Sequence, residues 1–450
     1  MGLLGAQLPD FPWDSLVPVR ERAAAHPDGV VDLTIGTPVD SVPSGARAAL
    51  DAASDAHGYP LTVGTAELRA AVRRWLERRR GVRAETGVLP TIGSKEMVAL
   101  LPSLLGLGSA DAVGFPRASY PTYDVGARLA GAKPVPVDTD ADPSTWPAMS
   151  MLWLNSPGNP DGHVLGVERL RAILAWARER GVVVASDECY AELAWDVPEA
   201  PSILDERVCD GDVAGLLCLY SLSKQSNMAG YRAAFLAGDP AMIGPIAEIR
   251  KHAGFLMPGP VQAAMTWALG DDAHVAEQRA VYARRREKLL AVLDAAGLVN
   301  DPLSVAGLYI WAAAKRPGGA AGGSAAGDPV GGSAAGDSAG RSAAGDPVGG
   351  VAGDFGADAG GGVDTVVGDS GADAAGGVAG SNHDGGSAVE APTGWDIVRA
   401  CAELGIVVAP GDFYGEAGRD RVRISLTATD SAIDEAVRRL PHLPEVLRLG

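Results

Sequence analysis

Apolar positions recur along the chain with two different periods. In "TAELRAAVRRWLERRR" they fall at Leu68, Val72, Trp75 and Leu76, the three-and-four spacing of an amphipathic helix. "GSKEMVALLPSLL" reads as a helix entered from a turn at Gly93, and "GVERLRAILAWARERG" as another. Between such segments lie short, nearly continuous apolar runs: "DAVGFP", "KPVPV", "MLWLN", "GVVVASDE" and "GLLCLYSLS". Runs of this length that are apolar on both faces predict buried strands, and their alternation with helices predicts an α/β fold with a largely parallel sheet. Polar residues gather where four apolar runs stop, in "GSKE", "NSPGNPDG", "DECY" and "SLSK". In such sheets ligands collect at the carboxyl ends of strands.

Composition changes this picture in one place. From Arg316 to Pro392 the chain is almost entirely Gly, Ala, Ser, Asp and Val, and "SAAGDPV" occurs at Ser324 and again at Ser342. Residues 318–390 hold nine Asp, one Glu and one Arg, a net charge of −9 against −18 for the whole chain. With so few large apolar side chains the segment cannot offset the entropy of ordering, so a flexible acidic insertion is expected. A calcium-binding Asp-Gly array would need a strict nonapeptide period, which is missing. Ordered patterning on both sides places the insertion within a domain.

The acidic balance argues against nucleic acid as a partner, since phosphate contacts need clustered Lys and Arg. Apolar runs fall short of the roughly 18 residues that suggest a membrane span. The N-terminal stretch lacks the pattern of a secretory signal, so a soluble cytoplasmic protein is expected. Cys189, Cys209, Cys218 and Cys401 are scattered, which argues against a metal site or a disulfide framework.

The candidate chemistry starts from Lys224, at the end of the apolar run in "LCLYSLSKQSNMAGYR". Lysine is rarely buried unless it is paired or reactive. If the strand ends converge, Lys224 joins an acid after a strand (Asp187), a phenol (Tyr190), an amide (Asn159), an aromatic plate (Tyr120) and Arg232. That set suits pyridoxal 5′-phosphate. An amine can bond its aldehyde, a carboxylate can hold its ring nitrogen protonated, and a helix N-terminus with Ser and Arg can take its phosphate.

"NSPGNPDG", "SDECY" and "SLSKQSNMAGYR", in that order, resemble the motifs of the class I and II aminotransferases, fold type I of the pyridoxal-phosphate enzymes. Asp161 stands where that family usually has Thr. The resemblance implies a large cofactor-binding domain over residues 45–275 and a smaller α/β domain from residues 1–44 and 276–450, interrupted by the insertion at 316–392. It implies that Lys224 holds the cofactor and shuttles a proton, and that Asp187 pairs with the ring nitrogen. Tyr190 and Asn159 would bond the ring oxygen, and Tyr120 would stack on the ring. Ser94, Lys95, Ser221, Ser223 and Arg232 would surround the phosphate. Tyr59, in "HGYPLTVG", would reach the phosphate of a neighbouring subunit, which implies a homodimer with shared sites. Arg423, in "RVRISLTATD", and the loop at Gly36 would hold the substrate carboxylate. Arg421 is expected on the opposite strand face, in solvent.

A narrower resemblance, carried by "LPDFPWDSL", "VDLTIGTPVD", "YPTYDVGARLAG", "KHAGFLMPGPVQAAM" and "VAPGDFYG", is to actinobacterial-type N-succinyldiaminopimelate aminotransferases of lysine and cell-wall biosynthesis. It implies amino transfer between glutamate and N-succinyl-2-amino-6-oxopimelate, with Arg117, Arg128, Lys95 or Lys251 meeting a distal carboxylate. A broad-specificity aminotransferase for aspartate, alanine or aromatic amino acids and a carbon–sulfur β-lyase are the alternatives, since one fold hosts several chemistries. A non-catalytic regulator would need a DNA-binding domain ahead of motifs that begin near Asp32, so it is set aside.

Overall fold

The computed structural model describes residues 8–315 and 391–447. The acidic insertion expected at 316–392 therefore lies, apart from its last two residues, outside the described residues. The strands run β1 (Val31–Asp32), β2 (Gly87–Ile92), β3 (Ala112–Pro116), β4 (Lys133–Val137), β5 (Met151–Asn155), β6 (Val183–Asp187) and β7 (Leu216–Ser221). They continue with β8 (Ala233–Gly238), β9 (Leu298–Asn300), β10 (Tyr309–Ala314), β11 (Ile406–Val407), β12 (Ala409–Pro410) and β13 (Arg421–Ser425).

Seven of them form one sheet in the order β2-β8-β7-β6-β5-β3-β4. β8 alone runs against the rest, pairing antiparallel with β2 and β7. Successive side chains on a strand face opposite ways, and here both faces are covered. Met151 and Trp153 of β5 pack into one apolar layer with Leu217, Leu219 and Leu236. Leu152 and Leu154 pack into the other with Trp75, Tyr220 and Phe235. Burial on both faces explains why these strands read as unbroken apolar runs.

The helix Ala66–Arg80 supplies the Leu68, Val72, Trp75, Leu76 stripe to that second layer. Thr65 caps its start by accepting from the Leu68 N–H, and Gly81, at φ 67°, ends it in the left-handed conformation that glycine adopts without strain.

A four-stranded antiparallel sheet, in the order β12-β13-β10-β9, has a core of its own built with Leu16, Val19, Leu33, Ile397 and Ile433. β1 pairs parallel with β11 and so ties the N-terminal stretch to this part. No helix among the described residues is long and apolar enough to cross a membrane.

Strand direction decides what meets at the site. β5, β6 and β7 run parallel, and Asn155 pairs across from Asp187. Their carboxyl ends, which carry Asn155, Asp187 and Ser221, lie along one edge of the sheet. Because β8 is antiparallel, its first residues reach that same edge, with Arg232 just before them.

Candidate active site

A cavity of about 520 Å³ opens over this edge. Of the residues expected at the site, Gly36, Ser94, Lys95, Tyr120, Asn159, Asp187, Tyr190, Ser221, Ser223, Lys224, Arg232 and Arg423 all line it. Tyr59 does not, and its side chain is 98% exposed. Lys251 lies outside this cavity and pairs with Glu248 at 3.4 Å on an exposed helix face.

The lysine stands on a single helical turn, Leu222–Gln225, whose N-cap Ser221 accepts from the Ser223 N–H. Its Nζ donates to the Gly36 carbonyl. Burial, with Arg423 and Arg232 nearby, lowers its pKa from the usual lysine value. Gly36 is glycine for a packing reason, because a Cβ there would sit 2.0 Å from the Tyr309 hydroxyl.

Asp187 is buried and has no cationic partner among the described residues. The Tyr123 hydroxyl donates to its Oδ2 at 3.0 Å and the Cys189 N–H to its Oδ1 at 3.2 Å. Burial raises its pKa above the ordinary aspartate value even so. A carboxylate held this way suits a cationic ring nitrogen. Tyr123 thus acts on Asp187, whereas Tyr120, only partly buried, offers its ring to the cavity.

A cup suited to an anion forms where helix Ser94–Leu104 begins. Gly93 caps it without a side-chain hydrogen bond, and Ser94 and Lys95 of its first turn line the cavity. Gly93 has φ 74°, the left-handed region that favours glycine, and the end of the Arg232 side chain lies against it. The Ser221 and Ser223 hydroxyls hydrogen-bond each other at 2.8 Å, and among the described residues Arg232 has no carboxylate partner.

On the opposite side Arg423 is only 3% exposed. Its Nη1 donates to Asn159 Oδ1 at 2.9 Å and its Nη2 to the Thr34 carbonyl at 2.6 Å, while the buried Nε has no partner. No carboxylate pairs with it among the described residues. Its guanidinium lies 3.9 Å from the centre of the Tyr309 ring and 4.8 Å from that of Tyr414. A buried cation with an open donor is a ready seat for a carboxylate from outside.

Sequence reasoning missed three contributors, Tyr309, Arg20 and Cys189, and the hydrogen bond of Tyr123 to Asp187. The Tyr190 and Tyr309 hydroxyls are 3.3 Å apart. Burial and the Tyr309 phenol push Tyr190 up; burial would push Tyr309 up as well, but the charges of Arg423 and Lys224 outweigh it and lower its pKa. Arg20 pairs with Asp32 at the rim. Tyr309 reads as a core strand residue, and only the pairing of β10 with β13 sets it beside Arg423.

The expectation for Arg421 fails. Residues two apart on a strand share a face, so Arg421 lies on the Arg423 face. It pairs with Asp301 at 3.0 Å and its guanidinium sits 6.0 Å from the Trp311 ring.

A lysine, an unpaired buried carboxylate and an anion cup at the carboxyl edge of a mostly parallel sheet define a pyridoxal-phosphate enzyme of fold type I. The profile "Aminotransferase class I and II" matches residues 28–315, and the chain belongs to that family, whose members use pyridoxal 5′-phosphate. It is 44% identical to the 4-dedimethylamino-4-oxo-anhydrotetracycline transaminase OxyQ of Streptomyces rimosus, over 96% of this chain and 99% of the relative. A probable aminotransferase of Mycobacterium tuberculosis is 45% identical over 98% of this chain and 87% of its own length. Among solved structures, a probable N-succinyldiaminopimelate aminotransferase of Thermus thermophilus superposes with a TM-score of 0.72 at 22% identity, covering 96% of this chain and 100% of that one.

Proposed function

We propose that this chain moves an amino group between glutamate and an oxo substrate that extends beyond the cofactor pocket, as a cytoplasmic homodimer in which Tyr59 serves the neighbouring subunit. Bound pyridoxal phosphate supplies an aldehyde and an electron-withdrawing ring. The rest of the chemistry falls to side chains. Lys224, whose pKa burial lowers from the usual lysine value, carries the cofactor and then moves a proton at the substrate Cα. Asp187, oriented by Tyr123, holds the ring nitrogen protonated. Asn159 and Tyr190 reach the ring oxygen, Tyr120 covers the ring face, and Ser94, Lys95, Ser221, Ser223 and Arg232 take the phosphate. Arg423 and the Gly36 backbone hold the α-carboxylate.

The observation that carries the reading is that Lys224 and Arg423, a buried cation with no carboxylate partner among the described residues, line one cavity. For the acceptor, the sequence resemblance nominates N-succinyl-2-amino-6-oxopimelate, which would place the enzyme in lysine and diaminopimelate biosynthesis. A second reading, an oxo group on a polycyclic body, is favoured by 44% identity to a relative named for an anhydrotetracycline. Two measurements test the proposal. Lys224→Ala should abolish the pH-sensitive absorbance of bound cofactor and all turnover; an unchanged spectrum would remove Lys224 from its role. Mixing the amine form of the holoenzyme with 2-oxoglutarate, pyruvate and the succinylated oxopimelate, and ranking the return of the aldehyde-form spectrum, should show reaction with at least one. Failure with every oxo acid would end the aminotransferase assignment of this site.

A further inference from the structure

A second cavity, about 1130 Å³, adjoins the first and shares Phe11, Trp13, Lys95 and Tyr120 with it. The cofactor pocket alone is of a size that holds a small ligand, so the chamber is space that a simple amino acid leaves unfilled. Its walls are mainly apolar and aromatic. The Phe11 and Trp13 rings lie 5.4 Å apart, Trp13 and Phe413 another 5.4 Å, distances at which aromatic rings stack or meet edge to face. Phe115 and Val125 also line it.

Charge distinguishes between the two possible acceptors. Three cations line the chamber, Lys95, Arg117 and Arg128, against four carboxylates, Asp10, Asp124, Asp412 and Glu416. Arg117 is already paired with Asp138, and Arg128 with Asp124 at 2.7 Å. Lys95 remains, at the mouth beside the cofactor pocket, 5.6 Å and 5.7 Å from the Phe11 and Tyr120 ring centres. Apart from Lys95 the chamber thus has no unpaired cation for a distal carboxylate; Asp124 and Glu416 are paired as well, which leaves Asp10 and Asp412 to repel one. From this we infer that the chamber holds the flat, uncharged aromatic body of the oxo substrate, with its carbonyl presented to the cofactor past Tyr120. The inference rests on the aminotransferase reading and selects between its two acceptors.

The test uses holoenzyme and two variants that fill the chamber without touching the cofactor pocket. Val125→Trp narrows the chamber, and Ala417→Trp, on an exposed turn that lines it, does so with little risk to folding. In each, the ratio of kcat/KM for a fused-ring aromatic ketone to that for pyruvate should fall about tenfold or more, since the ring loses its apolar contact area. Binding of unreactive 2-naphthol, followed by tryptophan fluorescence in the original chain and by calorimetry in all three proteins, should weaken by a similar factor. Unchanged ratios and unchanged 2-naphthol affinity in both variants would overturn the inference. So would a holoenzyme that turns over pyruvate and the succinylated oxopimelate but no fused-ring ketone. Loss of activity toward every oxo substrate in the original chain would instead defeat the underlying aminotransferase reading.

Discussion

Replacing Arg423 by lysine separates a carboxylate seat from a merely structural arginine. Lysine keeps the charge but loses the planar fork and the Nε donor. In the native site Nη1 and Nη2 are committed to Asn159 and to the Thr34 carbonyl, and Nε is open. A lysine ammonium cannot meet both partners and a carboxylate in the same geometry. Losing one charge-assisted hydrogen bond to substrate costs about 1.5–3 kcal/mol. Losing the flat contact with Tyr309, 3.9 Å away, costs roughly 0.5–1 kcal/mol more. The sum, about 2–4 kcal/mol, lowers kcat/KM roughly 30- to 1000-fold. The assay is single-turnover spectroscopy of the holoenzyme mixed with glutamate, with a simple alkyl amine lacking a carboxylate as the control donor. Glutamate should suffer the full loss and the control far less, while cofactor absorbance is retained. A loss below about threefold with glutamate, or an equal loss with both donors, would refute the reasoning.

Two further outcomes are expected. Tyr309→Phe removes one phenol of the 3.3 Å pair while sparing the ring under Arg423. The pH midpoint of the bound cofactor's absorbance should shift, and kcat/KM should fall by roughly 3- to 10-fold, the value of one ordinary hydrogen bond; an unmoved midpoint would leave Tyr309 a packing residue. His163 lies 3.6 Å from Asp161 and 3.5 Å from Asp301. Burial opposes its charge, but the two carboxylates raise its pKa from 6.5 to about 9. That stabilisation is fully present below about pH 6.5 and is lost as the pH rises through 9. Burial also pushes Asp161 up, which reduces the net gain, so a few kcal/mol is the upper bound. The difference in Tm between the native chain and His163→Asn should therefore be largest near pH 6 and should shrink toward pH 10. A constant difference would show that the charge is not what matters.

Local pattern carried much of this protein into view. Residues that end strands are recognisable because an unbroken apolar run gives way abruptly to polar turn chemistry, and a parallel sheet aligns those ends automatically. Lys224, Asp187, Asn159, Ser221 and Ser223 were legible on that ground, and Arg232 through its spacing from the lysine. What pairing and packing decide was not. Tyr309 joins the site through the alignment of β10 with β13, and Tyr123 through a hydroxyl that crosses to β6 from a helix 64 residues earlier. The face of Arg421 was misjudged although strand period alone sets it, and its partner Asp301 lies 120 residues upstream in the chain. The aromatic chamber is assembled from residues 8–13, the stretch 115–136 and the turn at 412–417, segments whose proximity no local period encodes. Chemistry repeated at strand ends is a short-range property of the chain; a cavity's shape, and the balance of charge inside it, exist only once distant segments have been brought together.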